Sequence, residues 1–138
     1  MKRMDDNMMT ATTIEQFLAN PESYGTLNLH FTTMTEAQFK RLCDELEHNT
    51  TLTNLNLASK YIGYIGAKGA AALAESLQGN TTLTSLNLRG NRIGDEAVLT
   101  LAKSLEGNTC LASLDLRSNN IGDAGVIAIA EVLHNNTE

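Results

Sequence analysis

The sequence has no tryptophan, one proline and two cysteines, and aromatic residues of all kinds reach only 4%. A core built on large rings is therefore excluded, although hydrophobic residues at 42% still supply an aliphatic one. Two cysteines, Cys43 and Cys110, with no CxxC spacing, exclude a disulfide framework and point to reduced thiols in a cytoplasmic setting. No apolar run approaches the ~18 residues that a membrane span needs. A basic excess is lacking as well: the net charge of −6 argues against nucleic-acid binding, which calls for a basic surface. Lys2 and Arg3 are followed by no apolar stretch, so the start is no signal peptide, and a disordered leader is expected over 1–12.

Catalytic signatures are missing too. There is no HExxH, no GxSxG and no phosphate-binding glycine loop. The histidines, His30, His48 and His134, fall at unlike positions of the pattern described next. No catalytic residue, cofactor or metal ligand is predicted, and the chain is not expected to be an enzyme.

What is present is repetition. The stretch from Leu83 to Ala97 superimposes on that from Leu111 to Gly125 at a shift of 28 residues. Leu52, Leu55 and Leu57 begin the same pattern one unit earlier, and Tyr24, Leu27 and Leu29 one earlier still, with Tyr24 in place of the first leucine. The units are 24–51, 52–82, 83–110 and 111–138. Each opens on alternating apolar residues, as in a short strand with one buried face. Each closes on a helical stripe: Phe39, Leu42, Cys43 and Leu46; Ala70, Leu73, Ala74 and Leu77; Val98, Leu101, Ala102 and Leu105; Val126, Ile129, Ala130 and Leu133. Cys43 sits where the other units carry alanine, the place of a core thiol.

The helix ends are marked. Thr35 to Gln38 fits a capping box, with Met34 and Phe39 placed for a hydrophobic staple. Asp95 and Asp123 are expected as N-caps, and Gly79, Gly107 and Asn135 as left-handed residues past the helix ends. Asn80, Asn108 and Asn136 fall in the turn back to the next strand, which gives the glycosylation-like runs at Asn49 and Asn80 a structural reason. Ahead of the repeats, Thr13 to Asn20 reads as a short helix stopped by Pro21, an N-terminal cap over 13–23.

The pattern LxxLxLxxNxIGxxG followed by a helix resembles leucine-rich repeats of the ribonuclease-inhibitor-like subfamily. The matching stretches are Leu83–Ala97, where Ala97 replaces the last glycine, and Leu111–Gly125. The resemblance implies an α/β fold: a right-handed solenoid or horseshoe arc of about four repeats over 24–138, with a parallel concave sheet and convex helices. It also implies a protein-interaction module, as in cytosolic immune receptors, enzyme inhibitors and bacterial effectors, or a fragment of a larger receptor or adaptor. An effector would work in the host cytosol. The loop asparagine of the family, which bonds loop backbone there, is present as Asn91 and Asn119 but is Lys60 and Thr32 in the earlier units.

In that frame the side chains between buried leucines face the concave surface. One column holds Thr26, Asn54, Ser85 and Ser113, and the next Asn28, Asn56, Asn87 and Asp115. His30, Ala58, Arg89 and Arg117 follow, with Arg92 on the rim. Arg89, Arg92 and Arg117 against Asp115 alone suggest a partner with an acidic surface. The other reading is that the arginines pair with Asp115 and solubilise the sheet. The asparagine column reads as a hydrogen-bonding ladder. The second unit has three extra residues, a duplicated triplet around Tyr61 and Tyr64, which is either an aromatic anchor for the partner or a tolerated insertion. Finally, the strand around Leu114–Leu116 is expected to leave an unpaired edge, open to homodimerisation.

Overall fold

The computed structural model describes residues 9–29, 34–58, 65–123, 125–127 and 129–130. Its elements alternate: β1 (Met9–Ala11), α1 (Ile14–Ala19), a 3-10 turn at Pro21–Ser23, β2 (Tyr24–Asn28), α2 (Glu36–His48), β3 (Asn54–Asn56), α3 (Gly66–Gly79), β4 (Ser85–Asn87), α4 (Gly94–Ser104) and β5 (Ser113–Asp115). The five strands form one parallel sheet in chain order. Strands in such a sheet stand ~4.8 Å apart, whereas packed helices need ~8–10 Å. Equal numbers of each stack only with the sheet on the inner arc.

The repeat register is also the sheet register. Leu27, Leu55, Leu86 and Leu114 are direct partners across β2 to β5. They point inward with Leu29, Leu57 and Leu88 against Leu42, Leu46, Leu73, Leu77, Val98 and Leu101 of the helices, in one continuous core. Tyr24 is buried in the place of the first leucine, its ring 6.3 Å from that of Phe17. The N-terminal cap is longer than expected. Met9–Ala11, assigned above to the disordered leader, pairs in parallel with β2 and adds a fifth strand. Behind it, α1 buries Ile14 and Phe17, and Thr13 caps that helix by accepting from the Gln16 N–H.

Thr35 and Gln38 form the complete capping box of α2. Two other helix-end expectations are corrected. Asp95 lies in the first turn of α4 rather than at its N-cap, and its carboxylate reaches the next unit, accepting from the Gly122 N–H at 2.6 Å. Gly79 and Gly107 do not take left-handed conformations. They have no need to, because asparagine closes these helices. The Asn80 amide donates to the Leu46 carbonyl at 2.7 Å, and its Oδ1 accepts from the N–H groups of Thr82 and Leu83. Asn49 and Asn80 are both buried, so their amide nitrogens serve the fold rather than a glycan. Thr51 and Thr82, at the ends of their units, help by donating to the carbonyls of Tyr24 and Leu52, and Cys110 stands in that place in the third unit, its Sγ 2.8 Å from the Thr81 carbonyl.

A fully buried joint between units is made by the loop asparagines. The Asn119 amide donates to the carbonyls of Leu88 (2.8 Å) and Leu116 (3.1 Å), and its Oδ1 accepts from the N–H groups of Asn91 (2.7 Å) and Ile93 (3.2 Å). Asn91 repeats this one unit earlier, donating to Leu57 and Leu88 and accepting from Ile65. They are 0% and 1% exposed. The residues before each have positive φ, 74° at Gly90 and 61° at Ser118, which turns the chain so that the amide points inward. This pattern also settles the register of the longer unit. Ile65 and Gly66 bond to Asn91 as Ile93 and Gly94 bond to Asn119, so the extra residues precede Ile65. Thr32 and Lys60 lie outside the described residues.

The last stripe departs from expectation. Val126 is 58% exposed, whereas its counterpart Val98 is buried, because among the described residues no further unit packs over it.

Replacing Asn119 by alanine would strand the buried N–H groups of Asn91 and Ile93, at about 1–3 kcal/mol for each group. Urea unfolding of Asn119→Ala should therefore show a loss of about 2–6 kcal/mol; a loss under about 0.5 kcal/mol would contradict the joint. Burial pushes the Cys43 thiol up to about 11, against a smaller opposing effect of Ser76, so little of it is thiolate at neutral pH. An aromatic disulfide reagent should label half-exposed Cys110 in the native protein and Cys43 only after unfolding; equal native rates would contradict the buried assignment.

Candidate functional site

The concave side of the sheet is built by strand alternation. The register places Thr26, Asn54, Ser85 and Ser113 in one column, and Asn28, Asn56, Asn87 and Asp115 in the next. Asn56, Asn87, Arg89, Asp115 and Arg117 are thereby brought onto one face, exposed or half-exposed. Arg92 stands at the rim with a left-handed φ of 53°. Tyr61 and Tyr64, and also His30, lie outside the described residues. Ala58, grouped above with the two arginines, is buried and adds nothing to the face.

The asparagine column works differently from the expected ladder between strands. Three of its side chains accept from the backbone N–H two residues on: Asn56 from Ala58 at 2.9 Å, Asn87 from Arg89 at 3.0 Å, Asp115 from Arg117 at 3.1 Å. These are local Asx turns that end each strand and bend the chain toward its loop. Sequence reasoning found the column but could not distinguish a bond along the strand from one across it.

The charges on this face do not act alike. Arg117 forms two parallel bonds with Asp115, Nε to Oδ1 at 3.0 Å and Nη2 to Oδ2 at 2.7 Å. This bond to Arg117 is the main cause holding the Asp115 carboxyl below its ordinary range, and the nearby Arg89 lowers it further. Asp115 in turn raises Arg117. The Arg89 guanidinium is exposed and joins no ion pair among the described residues. Pairing with Asp115 thus describes Arg117, while Arg89 presents its charge to solvent.

The described residues hold no group of three His, Cys, Asp or Glu side chains able to bind a metal, and no helix among them is long and apolar enough to cross a membrane. An apolar groove of about 930 Å³ runs between the N-terminal ends of α2 and α3, lined by Met34, Phe39, Ile65 and Ala72 with Lys40 and Lys68 at its sides.

The profile of the family described as Leucine Rich repeat matches residues 79–102 and 107–130. Comparison with curated proteins finds no match. Among solved structures, the chain is similar to leiomodin-1 actin-binding site 2, at 28% identity and a TM-score of 0.75, over 90% of this chain and 72% of that one. It is also similar to the tropomodulin C-terminal domain of Caenorhabditis elegans, at 14% identity and a TM-score of 0.62, over 90% of each chain, a likeness of fold alone. Registered repeats, the profile match over two segments and the shared architecture together show the α/β fold of a leucine-rich-repeat solenoid.

Proposed function

We propose that the chain is a protein-interaction module, not an enzyme, and that a partner with an acidic surface docks on its concave face. The observation that carries this reading is the registered array of polar side chains ending in exposed Arg89. Such a surface is open and periodic, suited to an extended contact rather than to enclosing a substrate. Asn56, Asn87, Arg89, Arg92, Asp115 and Arg117 are its proposed contacts, with Tyr61 and Tyr64 beside it. A cytoplasmic setting goes with the two free thiols. The likeness to leiomodin-1 actin-binding site 2 makes actin the first partner to test.

A second reading rests on a specific observation. Among the described residues β5 pairs only with β4, and Leu111, Leu114, Leu116 and Ile121 are half-buried where Leu83, Leu86, Leu88 and Ile93 are fully buried. Such an edge favours self-association.

Co-sedimentation with actin should detect binding that Arg89→Glu/Arg117→Glu weakens by about tenfold or more. Undiminished binding by the double variant would reject the concave face, and no binding by wild type would reject actin. For the second reading, light scattering over a concentration series should show a dimer appearing; a monomer throughout would reject it.

A further inference from the structure

Three units carry asparagine in the second concave column and the fourth carries Asp115. The backbone task is the same at Asn56, Asn87 and Asp115: one side-chain oxygen accepts the N–H two residues on. An amide does this as well as a carboxylate, so the negative charge of Asp115 is surplus to the turn. What the charge adds is the two-bond clamp on Arg117. A guanidinium fork meeting a carboxylate with two parallel bonds is the geometry in which arginine recognises an acidic side chain of another molecule. Arg89 occupies the same repeat position one strand away, ~4.8 Å across the sheet, and its charge is felt at Asp115.

We infer that Arg89 and Arg117 form a carboxylate-binding site on the concave face, occupied internally by Asp115, which lowers the affinity of the site for acidic partner segments. The inference rests on the concave-face reading above and names the chemistry of its ligand. Arg117 is 69% exposed and its partner 23%, so solvent screens the pair and the internal bond is easily exchanged for an external one. Asp115 thus acts as a built-in competitor: it keeps Arg117 ordered while the face is empty and yields it when a stronger acidic ligand arrives. Among the described residues no carboxylate clamps Arg89 in this way, and it makes the first contact.

The test is Asp115→Asn, which converts the fourth unit to the residue of the other three and leaves the turn acceptor in place. The probe is a dye-labelled oligoglutamate peptide, read by fluorescence anisotropy at low salt. Asp115→Asn should bind it up to about fivefold more tightly than wild type, with a steeper salt dependence. The gain should vanish in Asp115→Asn/Arg117→Gln. Glu75→Gln, which makes the same change in net charge on exposed α3, should give no comparable gain. No gain in Asp115→Asn, or a gain that survives removal of Arg117 or is matched by Glu75→Gln, would overturn the inference. If that happens while Arg89→Glu/Arg117→Glu still weakens actin binding, the concave-face reading stands and only the competitor role falls.

Discussion

The third and fourth units of this solenoid are each seated by a buried amide that must bond in two directions at once. Asn119 donates to a carbonyl of its own turn and to Leu88 of the unit before, while its oxygen takes two N–H groups from that earlier loop. No other uncharged side chain offers two donors and an acceptor at that length except glutamine, whose extra methylene would not fit a fully buried turn. Once the amide is seated, the pitch between neighbouring loops is set. The strands follow at sheet spacing, the leucines fall into register, and the helices spread on the outer arc. Among the described residues no buried side-chain nitrogen or oxygen lacks a hydrogen-bond partner, as this division of labour requires.

The outward columns follow from the same constraint. A pitch shared by all units places equivalent side chains directly side by side, so a change in one unit stands out against its neighbours. Asp115 in a column of asparagines is such a change, and so is Ala58 in a column that otherwise holds His30, Arg89 and Arg117. The face is neither uniformly basic nor neutral. It holds one clamped arginine and one presented to solvent, a distinction of bonding rather than composition.

Much of this was legible in the sequence, because a repeat reports the same decision several times. The leucine positions, the parallel register, the capping box at Thr35 and the structural role of Asn80 all follow from periodicity. What was not legible involves contacts between units that have no periodic signature. Asp95 looks like an N-cap, but its partner is Gly122, in the following unit. Gly79 and Gly107 look like left-handed helix ends, yet the adjoining asparagines already close the turns. The place of the three-residue insertion within its unit was fixed only by the bond from the Ile65 N–H to Asn91. Met9–Ala11 has too few residues to show a strand pattern and is ordered by pairing with β2. The face itself was found, but whether an arginine is clamped depends on side-chain geometry that residue types do not encode.

The claim that these units are held together through the buried asparagines is tested most directly by native-state hydrogen exchange. The amide protons of Asn91 and Ile93, both accepted by Asn119 Oδ1, should exchange only through the opening that unfolds the neighbouring strands, with protection equal to that of Leu88. Exchange of these two protons at the rate of an open surface loop, with Leu88 still protected, would contradict the account.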